Sequence, residues 1–424
     1  MQIRRNLVGQ RRFNLGDEGE VDGDVPDTEV RVRFPGYRQR MSPPNVTAAN
    51  GSSRLGYNPA LDGLRAVAIL AVVGQHAGIP GLSGYHGVTL FFVISGYLIT
   101  RLLLKEHDRS GSIRLPRFYA RRFARLGPAL IVVIAVTWGW LAITGEPLTS
   151  YWGGILGSLT YTTDLIQEFS GNSSVGHYFQ WSWSLGVEEL FYLIWPISLL
   201  LLAKWHRFAL SATVLLAGVV GSWALRAVLI SGGMNHNRFY FAPDTNADAL
   251  LLGALLALLL VRWPHSRALR IAGRIAGPLG LLALIALVWP HTGNALMHID
   301  EGGLGQAALA SAGLVLWMAT SDAGRTAAVF SWRPLVFVGK LSYGIYLWNL
   351  LTIFVFASIV HRSPMASWWG VVWFATLIGV AYLSWRFIET PLRTRWAPVA
   401  RPEAEPPPVG EAADSLVGAT ARTQ

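Results

Sequence analysis

Apolar residues fall along the chain in long blocks separated by short polar stretches. Blocks at 61–79, 86–104, 126–144, 181–203, 208–230, 246–261, 275–289, 304–320, 335–360 and 367–388 approach or exceed the length of a membrane crossing. At 1.5 Å per residue, about 20 helical residues cover roughly 30 Å of hydrocarbon. An eleventh block, 152–166, is short, rich in Gly and Thr and holds Asp164. It is expected to be re-entrant or interfacial, because irregular backbone at membrane depth survives only when protein buries it. The predicted fold is therefore an all-α integral membrane protein of about ten transmembrane helices plus this short segment. The first sustained apolar run starts near Leu64, after a long polar stretch, and reads as a span rather than a cleavable signal peptide.

Loop charges orient the spans. Residues 105–125 carry Lys105, Arg109, Arg114, Arg117, Arg121, Arg122 and Arg125, and 262–274 carry Arg262, Arg267, Arg270 and Arg274. Segments 80–85, 145–180 and 290–303 have neither Lys nor Arg. By the positive-inside rule, the first two loops are expected on the cytoplasmic side and 145–180 outside, with both termini cytoplasmic. Residues 1–55 and 397–424 are polar, rich in Pro, Gly or Ser, and without sustained periodicity, so they read as disordered tails around a membrane domain at 56–396.

Composition agrees with this pattern and narrows the chemistry. Hydrophobic residues make up 52% of the 424 residues and charged ones only 14%, too few to cover a soluble core of this size. With no cysteine, thiolate nucleophiles, thiolate metal ligands and disulfides are excluded, and no metal site is expected. The formal net charge of +10 follows the topology, so no nucleic-acid partner is inferred.

Ionisable groups inside apolar segments are costly and mark candidate sites. Arg65 and His76 lie eleven residues apart in LDGLRAVAILAVVGQHAG. At 100° per residue that spacing puts both on one face of a helix, about 16 Å apart. A histidine can take a proton from an attacking hydroxyl, and an arginine can hold phosphate through two N–H groups. The pantetheine arm of coenzyme A has a comparable length, about 15–20 Å on the scale of the helix rise. One helix could thus hold the nucleotide end of acyl-CoA near Arg65 and the thioester near His76. The alternative is an interfacial anchor and a core histidine. In RFYARRFARL, Arg122 and Arg125 share a face of a short boundary helix, either as a phosphate clamp or as ordinary positive-inside charge. Glu188 and Glu189 in WSWSLGVEELFYLIWP are catalytic candidates beside His76, with structural hydrogen bonding as the other reading. Asp244, Asp248, Lys340, Tyr343 and Asn349 carry the same pair of readings. Gly87 and Gly96 permit close approach of a neighbouring helix or of a cofactor.

LDGLRAVAILAVVGQHAG, GVTLFFVISGYLI, FYARRFARL, WSLGVEELFYLIWP and KLSYGIYLWN, in this order, resemble the membrane acyltransferase family 3, also called the membrane O-acetyltransferase superfamily. The resemblance covers about 56–396. It implies a ten-helix domain that moves acyl groups, commonly acetyl from acetyl-CoA, to hydroxyls of surface polysaccharides, peptidoglycan, macrolides or other glycosylated metabolites. The family's Arg-x10-His falls on Arg65 and His76, its Arg-x-x-Arg on Arg122 and Arg125, and its Glu-Glu pair on Glu188 and Glu189. Four positions depart: Gly186 and Leu190 stand where many members read Ser and Gln, Asn246 where an Arg is common, and Asn349 where a His is common.

The sequence-based expectation is an O-acyltransferase of a bacterial cytoplasmic membrane. Arg65, Arg122 and Arg125 would hold acyl-CoA, and His76 would act as general base on a hydroxyl-bearing acceptor, a sugar or glycosylated metabolite. The rival reading is a multi-pass transporter or exporter of a related acylated product, which would move substrate without consuming acyl-CoA.

Overall fold

Asn58 opens the first helix: its side chain accepts from the Ala60 amide at 3.0 Å, and Pro59 fills the first helical position. The computed structural model describes residues 57–80, 82–204, 208–233, 236–288, 303–320, 324–361 and 368–396. The expected tails at 1–55 and 397–424 lie outside the described residues, as does most of loop 290–303.

Among the described residues there is no strand, and the α-helices follow in the order α1 (Pro59–His76), α2 (Gly84–Ser110), α3 (Leu115–Thr144), α4 (Trp152–Thr160), α5 (Thr163–Ser170), α6 (Trp183–Lys204), α7 (Phe208–Ser231), α8 (His236–Phe241), α9 (Pro243–Arg262), α10 (Arg267–Val288), α11 (Leu304–Thr320), α12 (Arg325–Phe330), α13 (Arg333–Val360), α14 (Trp369–Ser384) and α15 (Thr390–Trp396), with short 3-10 turns between α3 and α6 and a π-helical turn at Trp385–Glu389 before α15. Among the described residues, eight helices are long and apolar enough to cross a membrane. The 18-residue α1 and the 17-residue apolar α11 belong to the same bundle and bring the set of long helices to ten. The protein is an all-α, multi-pass integral membrane protein.

Small residues let the helices meet backbone to backbone. A Cβ on Gly96 of α2 would collide with the Leu250 carbonyl of α9, and one on Gly253 of α9 with the Val93 carbonyl of α2. Gly280 and Gly313 do the same for α10 and α11. Gly87 faces the Ala68 carbonyl of α1, so both glycines of the second motif serve helix packing here. The opposite faces carry large apolar side chains. On α10, Ile275, Leu279 and Leu282 recur at helical spacing and are 59%, 62% and 64% exposed, a stripe suited to lipid and not to water.

Three expectations are refined. The arginine-rich segment is no separate boundary helix: α3 begins at Leu115, with Pro116 in its first turn, and runs on through the span. Likewise α2 continues to Ser110, which shortens the basic loop to 111–114. Residues 152–166 are two helices of nine and eight residues, broken at Tyr161, whose φ of 57° is left-handed. At 1.5 Å per residue neither can cross, and Ser182 ties them together through Ser158 (2.8 Å) and Thr163 (2.9 Å). Across the bundle, α1 and α13 run parallel, since Arg65 meets Ser342 and His76 meets Asn349 further along both helices.

Candidate active site

Two cavities open beside α1, one at each end. The first, about 90 Å³, is lined by Arg65 from α1, Arg122 and Arg125 from α3, Ser95 from α2, Glu188 and Tyr192 from α6, and Ser342 from α13. Three guanidinium groups face one lining carboxylate, so the cavity suits an anion. Arg65 is steadied by the Ser342 hydroxyl, which accepts from its Nε at 3.2 Å and Nη2 at 3.0 Å. Arg122 lies over the Tyr192 ring at 3.6 Å and pairs with Glu189 at 3.6 Å. Its Nε is buried with no acceptor among the described residues, a donor ready for an incoming oxyanion. Arg125 feels the like charges of Arg65, Arg122 and Arg393. Glu188 accepts from Ser95 Oγ at 2.7 Å.

The second cavity, about 240 Å³, holds His76. Its lining includes four carboxamides (Gln75, Gln167, Asn172 and Gln180), aromatic rings such as Tyr85, Trp181 and Phe354, and no Asp, Glu, Lys or Arg. The carboxamides of 167, 172 and 180 come from the segment around α5, within the stretch 145–180 that has neither Lys nor Arg. His76 Nδ1 lies 2.5 Å from Asn349 Oδ1 on α13. Gln75 accepts from the Gly84 amide at 2.5 Å, fixing the α1–α2 turn against the cavity.

Val88 and Tyr346 line both cavities and form the wall between them. The Tyr346 hydroxyl is tied to Ser184 Oγ at 2.6 Å and donates to the Trp181 carbonyl. The six candidates therefore divide. Arg65, Arg122, Arg125 and Glu188 line the first cavity, Glu189 backs it through Arg122, and His76 stands alone in the second. Neither glutamate lines the histidine cavity.

Other candidates have different partners. Asp248 is buried against Arg226 of α7, and Asp244 pairs with Arg238 at 2.6 Å. Lys340 sits 5.6 Å from the Tyr57 ring, and Tyr343 donates to the Leu126 carbonyl at 2.7 Å. Sequence reasoning missed Ser342 and Tyr346, though both lie in KLSYGIYLWN four residues apart, on one helical face. No sequence pattern pointed to Gln167, Asn172 or Gln180. Among the described residues, no group of three or more His, Asp or Glu is placed to hold a metal ion.

The sequence model of the acyltransferase-domain family matches residues 58–386. The chain belongs to that family. All six candidate residues fall inside the matched span, and the chain carries an O-acyltransferase domain. It is similar to the peptidoglycan O-acetyltransferase OatA of Listeria monocytogenes, 34% identical over 357 residues, covering 80% of this chain and 56% of that protein. A Staphylococcus aureus protein provisionally named an O-acetyltransferase is 32% identical over 357 residues, covering 80% and 58%. A Bacillus subtilis protein provisionally named a peptidoglycan O-acetyltransferase is also 32% identical, covering 80% and 55%. The chain thus spans a little over half the length of these relatives. No solved structure matches it.

The departures from the family pattern have local reasons. A Cβ on Gly186 would press on Asp164 Oδ1 and lie 2.9 Å from the Tyr161 carbonyl, so glycine admits the α4–α5 break. Leu190 is 40% exposed on the outer side of α6. Asn246 donates to the Tyr240 and Ala242 carbonyls at 2.8 and 3.0 Å, and Asp248 takes its guanidinium from Arg226 instead.

Proposed function

We propose that the protein is an acyl-CoA-dependent O-acyltransferase of the cytoplasmic membrane, with both termini cytoplasmic and 56–396 as its catalytic domain. It would carry an acyl group, acetyl first of all, to a hydroxyl of a carbohydrate or glycosylated metabolite such as a macrolide. The observation that carries this reading is the shared wall: a cavity suited to an anion and a charge-free cavity holding His76 meet at Val88 and Tyr346. Arg65, Arg122 and Arg125 would hold the phosphates of the donor, with the unpartnered Arg122 Nε taking one oxygen. The thioester would then point along α1 toward His76.

In the transfer, His76 takes the hydroxyl proton as the acceptor oxygen attacks the acyl carbon. The C–O bond forms, the C–S bond breaks, and CoA departs as a thiolate that takes a proton from water. His76 returns its proton to solvent in its own cavity. Glu188 and Glu189 act on the arginine side, where they hold Ser95 and Arg122. The relatives' names make acetyl the first donor group to test and cell-wall glycan the first acceptor. The test is mass spectrometry of glycans and metabolites from a deletion strain complemented with wild type or His76→Gln. Loss of one acyl increment, restored by wild type alone, is expected. An unchanged acyl profile together with acyl-CoA-independent efflux of a solute would sink the proposal and favour the exporter.

A further inference from the structure

We infer that Asn349 is a positioning residue that locks His76 in one tautomer and aims its free nitrogen into the charge-free cavity. The inference rests on the proposed role of His76 as base. Asn349 is fully buried on α13, and its side chain has two neighbours: His76 Nδ1 at 2.5 Å and the Tyr346 carbonyl at 2.5 Å. A carbonyl offers lone pairs only, so the NH₂ end of the amide must face Tyr346 and donate. That leaves Oδ1 toward the imidazole. An amide oxygen accepts and cannot donate, so His76 must carry its hydrogen on Nδ1. In the neutral ring, Nε2 then holds the lone pair, the form a proton acceptor needs.

The seat of Asn349 is itself rigid. Thr352 Oγ1 donates to the Asn349 carbonyl at 2.9 Å, and Trp373 Nε1 of α14 donates to Thr352 Oγ1 at 3.3 Å. Trp373 is buried, so the α13 backbone that carries the amide is held against α14. The remaining titratable groups lining the cavity are His177, Tyr85, Tyr240 and Tyr346, and no carboxylate, lysine or arginine joins them. Asn349 thus orients the ring with an uncharged acceptor. A carboxylate there would hold the ring equally well but would also favour the imidazolium.

The test needs no knowledge of the acceptor. Purified full-length protein in nanodiscs is treated with diethyl pyrocarbonate from pH 5 to 9, and carbethoxylation of His76, one of ten histidines, is followed by peptide mass spectrometry. The reagent acylates only an unprotonated ring nitrogen, so the midpoint reports the His76 equilibrium. Asn349→Asp should move that midpoint up by about one pH unit or more. Asn349→Leu should lower envelope O-acyl ester, measured as base-released acid, by about 10-fold or more, because the wrong tautomer of a catalytic histidine can cost up to about 10⁴. Asn349→Asp should retain ester formation, with its pH optimum shifted upward. An unmoved midpoint in a normally folded Asn349→Asp protein, or full ester levels in Asn349→Leu, overturns the inference. Full ester levels in His76→Gln would instead remove the base reading while leaving the titration result intact.

Discussion

Asp248 is the most buried acidic residue among the described residues, and its environment predicts a structural role. It is 1% exposed, and Arg226 reaches it with Nη1 at 3.2 Å and Nη2 at 2.5 Å, while Trp223 Nε1 donates to it at 2.8 Å. Arg226 also donates to the Thr245 carbonyl at 2.7 Å. Asp248→Ala leaves a guanidinium buried without its counter-charge, which costs about 3–5 kcal/mol. The stranded indole N–H adds about 1 kcal/mol. Replacing both ions with apolar residues, Arg226→Leu with Asp248→Leu, removes the unpaired charge and should cost under about 2 kcal/mol. Thermal and SDS-induced unfolding of the purified protein, followed by tryptophan fluorescence, gives the four corners of the cycle. The double variant should be clearly more stable than either single variant. If Asp248→Ala unfolds like wild type yet loses acyl transfer, the pair is not structural and Asp248 belongs to the chemistry.

Changing Arg122 and Arg125 to Ala should raise the apparent KM for acyl-CoA far more than that for acceptor, with partial rescue by Lys, which lacks the planar fork; steady-state kinetics on membranes would show it, and unchanged acyl-CoA dependence would make the pair merely topogenic. His76→Gln should lower turnover by about 10²–10⁴ without loss of acyl-CoA binding, whereas Arg65→Ala should weaken that binding; isothermal titration separates the two. Single cysteines at 109 and 172 in the cysteine-free protein should react with an impermeant maleimide from opposite sides, and labelling of both from one side would refute the topology. Burial pushes the Asp164 carboxyl up to about 6, and its Oδ1 has no hydrogen-bond partner among the described residues. Because its folded value exceeds the unfolded one, stability should fall as pH rises from about 4 to 6, and Asp164→Asn should flatten that fall in unfolding curves.

Hydropathy located the long helices because burying twenty backbone amides in lipid leaves little choice but helix. It misjudged where α3 starts, since Arg117, Arg121 and Arg122 are polar yet good helix formers that extend the span into the interface. It also read 152–166 as one unit, because nothing in the residue types announces a left-handed Tyr161. At the site, the same-face spacing of Arg65 and His76 was legible from helical period alone. The separation of Glu188 from His76 was not, since it depends on how α6 rotates against α2. The carboxamides reach the histidine cavity through the fold of a loop with no periodicity, and Arg226 could be matched to Asp248 only once α7 and α9 were side by side.

The wall of Val88 and Tyr346 has a consequence for the cell as an electrical system. A bacterial membrane stores energy as an ion gradient, and a continuous wet path through any one protein would discharge it. Here the two polar cavities stop on either side of an aliphatic side chain and a buried phenol whose hydroxyl is already committed to Ser184 and Trp181. If acyl transfer runs past this wall as proposed, a small neutral acyl group would need only a brief displacement of that ring, whereas a hydrated ion would need the ring, its hydrogen bonds and a file of water to rearrange together. Under the proposed function, the barrier between donor and acceptor would therefore also be insulation.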